Sequence, residues 1–186
     1  MKIIAVNIGV RKKVDWKGKS METGIFKYAV EKPIFLDIEH VKDDTICDRK
    51  HHGGVDQAVY GYSLKHYQYW KQVYPNAEWE YGMFGENLTI DDLDETKIHV
   101  GDRFQVGEAL IEVTKPRIPC AKLGLRFQDM KIVKKFWNSS FSGVYFKVLK
   151  TGLVRSQDVL MPLKLCKENP TIAEVYEEER MRKGAH

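Results

Sequence analysis

Apolar and polar positions alternate in short blocks along most of the chain. "IIAVNI" (3–8) is apolar and β-branched and stops at Gly9. "GIFKYAV" (24–30), "PIFLDI" (33–38) and "QAVYGY" (57–62) follow, with turn-forming residues between them. Runs this short, bounded by Gly, Pro and Asp, predict strands. "NLTI" (87–90) is another. "DRFQVGEALIEVT" (102–114) predicts a hairpin turning at "VGEA", and "GVYFKVLKTGLVRSQD" (143–158) predicts a second turning at "KTG". "MPLKLC" (161–166) predicts a strand that closes the sheet.

The period lengthens in three places. In "SLKHYQYWKQVY" (63–74), Leu64, Tyr67, Trp70, Val73 and Tyr74 fall on one helical face, Ser63 is a good N-cap and Pro75 ends the run. "QDMKIVKKFWNSS" (128–140) predicts a second helix. "TIAEVYEEERMRK" (171–183) predicts a third, with Thr171 and Glu174 spaced as a capping box and Gly184 at its end. Many strands, few helices and short connections predict a mainly β fold: a closed or nearly closed β-barrel with peripheral helices and a C-terminal helix. A break near Lys167–Pro170 divides a barrel domain, 1–166, from a helical extension, 167–186. That extension can dock on the barrel or on the second subunit of a homodimer.

Composition narrows the class. A chain of 186 residues, 43% of them hydrophobic, can bury a core without disulfides or structural metal. The net charge of +4 comes without a Lys/Arg block or aromatic–basic interleaving, which argues against a nucleic-acid partner. "VRKK" at 10–13 reads as a solvated loop. No apolar run approaches membrane-spanning length, so no membrane association is expected. "MKIIAVNIGV" lacks a small-residue cleavage site and reads as the first strand. Cys47, Cys120 and Cys166 are odd in number, widely spaced and without a CxxC pair. That is not a secreted disulfide framework, and a reducing cytoplasm is expected.

Three segments carry candidate chemistry. In "DRKHHGGVDQAV" (48–59), Arg49, Lys50, His51 and His52 crowd donors before Gly53 and Gly54, whose backbone can approach a ligand closely. Basic side chains beside a glycine pair suit an anion, although a charged turn entering a strand has the same composition. Zinc fits less well, because adjacent histidines on an extended chain point apart and no further ligands follow. In "GMFGENLTI" (82–90), Glu86 and Asn87 can present an acceptor and a mixed donor–acceptor to a pocket. Taken alone, that segment reads as a β-turn with Asn87 left-handed. In "TKPRIPCAK" (114–122), Pro116 and Pro119 place Cys120 on a rigid loop among Lys115, Arg117 and Lys122. Cations aimed at a thiol favour the thiolate, the form needed for nucleophilic attack and for metal binding. Cys47 and Cys166 lack such surroundings and read as inert. No GxSxG, Walker or GxGxxG motif is present.

"KHHGG", "FGENL" followed by "VGDRFQVGEALIEV", and "PRIPC" occur in that order, and the set resembles the MOSC family, in particular its YiiM-like bacterial branch. The resemblance spans about residues 1–165 and implies a β-barrel like that of the pyruvate kinase barrel domain. It implies a pocket for the molybdenum cofactor, a phosphate-bearing pterin with a dithiolene-bound metal. It assigns Cys120 as molybdenum ligand and catalytic residue, or as a persulfide carrier. Arg49, Lys50, His51, His52 and Gly53 become the wall for the cofactor phosphate, Glu86 and Asn87 contacts to pterin or metal ligands, and Arg117 a contact to phosphate or substrate. The implied activity is reduction of N-hydroxylated compounds, such as hydroxylaminopurines and amidoximes, with electrons from a separate protein. An alternative is sulfur carriage on Cys120, fed by a pyridoxal-phosphate-dependent cysteine desulfurase. A further alternative is a non-catalytic module that binds a phosphorylated small molecule. The family's longer C-terminal helical region is reduced here to the single helix 171–183.

Overall fold

Strand alternation sorts side chains between two cores, and one strand shows this directly. Val59, Tyr60, Gly61, Tyr62 and Ser63 are all buried, yet Val59 joins one apolar cluster while Tyr60 and Tyr62 join another. Successive strand residues face opposite sides, so a strand buried along its whole length must be covered on both faces. The computed structural model describes residues 1–16, 18–45, 47 and 54–184. Among these run β1 (Ile3–Gly9), β2 (Lys12–Trp16), β3 (Lys19–Thr23), β4 (Lys27–Val30), β5 (Ile34–Leu36) and β6 (Val59–Ser63). Then come β7 (Leu88–Ile90), β8 (Arg103–Val106), β9 (Ala109–Pro116), β10 (Val144–Lys150), β11 (Gly152–Val154) and β12 (Met161–Lys164). The helices are α1 (Leu64–Val73), α2 (Ala121–Phe127), α3 (Lys131–Asn138) and α4 (Ile172–Gly184).

Eight strands form one curled sheet in the order β12-β8-β9-β10-β6-β7-β1-β4, antiparallel except for the β6–β7 pair. The sheet is a half-barrel rather than a closed barrel. Its end strands, β12 and β4, are not paired with each other among the described residues. Every residue of β12 is exposed, and Pro162 removes an N–H from that edge. The ribbon β5–β11 packs against the larger core instead, contributing Ile34, Leu36 and Val154. That core also holds Val59, Leu88, Ile111 and Phe146. The second core is aromatic. Tyr62, Trp70, Phe84 and Phe136 interlock there beneath α1 and α3, with the Trp70 and Phe136 rings stacked at 6.0 Å. Each such ring removes roughly 2–3 kcal/mol worth of apolar surface from water.

The hairpin expected over 102–114 forms as β8–β9, in register from Arg103↔Glu112 to Val106↔Ala109. The hairpin expected over 143–158 does not. β10 pairs with β9 and β6, while β11 turns away at Thr151 to pair with β5. A single linking residue leaves no room for a two-residue hairpin turn, so tertiary pairing decides. "VRKK", read as a loop, instead enters the ribbon β2–β3, whose charged faces hide its strand character. The helices expected at 63–74 and 128–140 appear as α1 and α3. The capping box holds: Glu174 accepts the Thr171 N–H at 2.7 Å, and the Thr171 hydroxyl accepts the Glu174 N–H at 3.2 Å. Ile172 lies in the larger core and the Tyr176 hydroxyl donates to the Phe136 carbonyl at 3.1 Å, so the first turns of α4 dock on the sheet domain.

Candidate functional site: a cleft with a thiol and a buried guanidinium

A solvent-open cleft with a cavity volume of about 90 Å³ lies where β4, β6, the end of β9 and the start of α2 converge. Cys120, Arg117 and Asn87 all line it, so three expected site residues do meet. Cys120 sits just before α2 with extended backbone, and its carbonyl accepts the Leu123 N–H at 3.0 Å. The short helix went unforeseen, because Pro116 and Pro119 mask a start that falls immediately after them. Arg126 fastens that helix to β4: it pairs with Glu80 at 2.7 Å and lies 5.3 Å from the rings of Phe26 and Tyr28.

Arg117 is the electrostatic centre. It is 5% exposed and donates to the Phe84 carbonyl, with its guanidinium 5.0 Å from the Tyr60 ring and 5.8 Å from that of Phe136. No carboxylate among the described residues lies within ion-pair distance of it. Burial pulls its pKa down, but Tyr60, Tyr145 and Cys120 outweigh that and hold it above the ordinary value. The charge is therefore permanent and buried. Burial also raises the Tyr145 and Tyr60 phenols, against the opposing pull of Arg117, so both stay protonated around neutrality. Lys122 lines the same cleft; Lys115 does not, and lies instead in a groove with Arg103 and Lys147.

Another part of the lining is charge-balanced. Lys27 pairs with Asp44, whose carboxylate also accepts the Gly9 N–H at 2.7 Å and the Asn87 amide at 2.9 Å. The two side chains are 11% and 2% exposed. Asn87 further binds β6, accepting from the Tyr60 N–H at 3.3 Å and donating its own N–H to the Tyr60 carbonyl at 2.8 Å. Neither Lys27 nor Asp44 stood out in the sequence, being single polar residues far apart in the chain that sheet register brings together.

Glu86, expected to face a ligand, is not among the residues lining the cleft. It is fully buried, and its carboxylate accepts from the Tyr67 hydroxyl at 2.5 Å, the Thr89 hydroxyl at 2.9 Å and the N–H groups of Gly82 and Phe84 at 3.0 and 3.1 Å. These bonds lower its pKa, yet burial raises it more. Its place is to hold the 82–86 loop. The residues of that loop at positive φ are Gly82 and Gly85, at 84° and 79°, rather than Asn87, and a Cβ on Gly85 would meet Ile25 at 2.7 Å. Arg49, Lys50, His51, His52 and Gly53 lie outside the described residues. Cys47, read as inert, lines the cleft, whereas Cys166 is 1% exposed.

The donors present suit a particular kind of group. No cluster of three His, Cys, Asp or Glu side chains able to cage a metal occurs among the described residues. A soft thiol, that of Cys120, sharing a cleft with a buried cation fits a metal whose remaining ligands come from its own anionic organic cofactor. A half-barrel carrying a thiol and a buried guanidinium in one cleft defines a class that comparison with known proteins names. The family model for the MOSC domain matches residues 48–161, and the chain belongs to that family. It is 35% identical to the uncharacterized protein YflK of Bacillus subtilis over 82% of this chain and 68% of YflK. It is 34% identical to protein YiiM of Escherichia coli over 77% of this chain and 63% of YiiM. A protein of Gibberella moniliformis named reductase is 30% identical over 79% of this chain but only 27% of its own length. The crystal structure of YiiM from Geobacillus stearothermophilus superposes with a TM-score of 0.79 at 27% identity, covering 98% of this chain and 85% of that one. No helix among the described residues is long and apolar enough to cross a membrane.

Proposed function

We propose that the chain is a molybdenum-cofactor oxidoreductase that reduces N-hydroxylated compounds in a reducing cytoplasm. The observation that carries this reading is Arg117, a buried cation without a carboxylate partner among the described residues, lining one cleft with Cys120. Buried charge is costly unless compensated, and an anionic group in the cleft supplies that compensation. Membership of the MOSC family and a reductase-named relative support the same reading. Cys120 would ligate the metal, Arg117 would face the cofactor's negative charge and Asn87 would offer its amide. The cofactor, when bound, supplies the two electrons that break the N–O bond. The overall conversion would consume two protons and yield amine and water. A separate electron-donor protein would supply the electrons, since no haem or iron–sulfur motif occurs in these 186 residues.

Metal and pterin analysis tests the reading. The chain expressed in a cofactor-competent host is expected to carry molybdenum and pterin, and Cys120→Ala to lose the metal. A wild type devoid of both overturns it. Binding of a phosphorylated ligand unaffected by Cys120→Ala points instead to a non-catalytic module. The Cys120 thiol also suits a sulfur carrier, since no cluster of three His, Cys, Asp or Glu side chains able to cage a metal occurs among the described residues. That role requires added sulfur on Cys120 after incubation with a cysteine desulfurase, read by mass spectrometry.

A further inference from the structure

A second cavity, of about 450 Å³, lies where the large sheet stops at β4 and the ribbon β5–β11 stands apart from it. No strand pairing joins β4 to that ribbon among the described residues. The lining is amphipathic. Ile34 is buried, and Ile8 and Val30 are half-buried against the larger core. Phe35 and Leu153 stand opposite each other on the ribbon, while their strand neighbours Ile34, Leu36 and Val154 enter that core. Strand alternation therefore turns the Phe35–Leu153 pair outward, and Leu153 is 37% exposed. Lys32, Lys42 and Asp43, all exposed, complete the lining. Lys42 is fixed beside β5, since its N–H donates to the Phe35 carbonyl at 2.9 Å. No ion pair holds any of these three among the described residues, and the next carboxylate, Asp44, is already taken by Lys27. Two cations against one carboxylate leave the lining with one positive charge in excess.

We propose that this cavity is a second ligand site, one that takes a small amphipathic carboxylate. Its volume falls within the range of small-molecule sites, which are mostly apolar with a few polar groups fixing orientation. An outward apolar pair on a two-stranded ribbon gains by being covered, and the fold itself leaves it open. The hydrocarbon part of the ligand would lie against Val30, Phe35 and Leu153. Its carboxylate would face the ammonium groups of Lys32 and Lys42, whose aliphatic stems extend the apolar wall. One excess positive charge matches a monoanion, and Asp43 disfavours a dianion such as phosphate. A neutral alcohol of the same length would keep the apolar contact and forgo the ionic one. The site does not depend on which cofactor the thiol cleft accepts.

Calorimetric titration of the full chain with octanoate tests this. Octanoate should bind the wild type about fivefold more tightly than octanol does. Reversing both cations, Lys32→Glu with Lys42→Glu, should weaken octanoate about tenfold and leave octanol unchanged. Leu153→Asp, which puts a carboxylate into the apolar wall, should abolish binding of both. These positions are exposed, so urea unfolding midpoints close to that of the wild type should show that the variants fold. Residues 42–45 wall both cavities, so the thiol cleft needs its own control. Arg117→Met should bind octanoate as the wild type does. The proposal is overturned if the folded wild type takes up no octanoate, or if octanol binds as tightly. It is equally overturned if Arg117→Met loses octanoate while Leu153→Asp keeps it, because the ligand then sits in the thiol cleft.

Discussion

Lys27 and Arg117 are two buried cations lining one cleft, and they are stabilised in opposite ways. Lys27 is 8% exposed and sits against Asp44, which is held in turn by the Gly9 N–H and the Asn87 amide. That wall is neutral and complete within the chain. Arg117 is 5% exposed and has a carbonyl, two aromatic faces and the neighbourhood of Cys120. Among the described residues no carboxylate pairs with it. A charge paired inside the fold serves the fold; one left open toward a cavity leaves an unmet demand there.

Breaking the closed wall should cost the most stability. Asp44→Ala leaves Lys27 buried and unpaired and strips the Asn87 amide of an acceptor, so unfolding free energy should fall by about 3–5 kcal/mol in urea titration. A loss under about 1 kcal/mol would mean that Lys27 escapes to water and the wall is not a unit. Lys27→Met should cost less, about 2 kcal/mol by the same measurement, because two neutral donors still hold the Asp44 carboxylate.

This wall also marks where sequence reading ran out. β8–β9 was legible because alternating apolar residues flank a glycine turn, and α4 because Thr171 and Glu174 stand at capping distance. Such signals are local. The pairing of Lys27 with Asp44 depends on β1 lying beside β4, a tertiary fact without a local mark. Cys120 stood out by its prolines and neighbouring cations, and motif resemblance then gave roles to Cys120, Arg117, Asn87 and Glu86, the last as a ligand contact. A buried carboxylate that holds a loop and one that holds a ligand leave the same letter in the sequence. β11 fails for a related reason, since the pattern announces a strand but not its partner.

Glu86 sharpens the comparison from the anionic side. Burial leaves its folded-state pKa raised despite four internal donors. Between the ordinary glutamate range, near ~4.3, and that raised value, the folded state binds more proton than the unfolded state. The Glu86 contribution is therefore full below that window and is lost as pH rises through it. The unfolding free energy of the wild type minus that of Glu86→Gln should decline across the window. A difference that rises instead would mean that the donors win and the carboxylate is held ionised. Asp94, lowered to about 2, contributes with the opposite slope, and it cancels because both proteins keep it.

Arg117→Met should have the smallest effect on stability and the sharpest on binding. The substitution removes a desolvated charge, a favourable change, and removes contacts with Tyr60, Phe136 and the Phe84 carbonyl, an unfavourable one. These terms oppose, so urea unfolding should move by no more than about 1 kcal/mol in either direction. Inorganic phosphate, titrated as a simple anion against thermal unfolding, should stabilise the wild type and Lys27→Met but not Arg117→Met. If Arg117→Met unfolds as readily as Asp44→Ala, the guanidinium belongs to the fold after all. The two cations would then be alike, each serving the fold rather than a ligand.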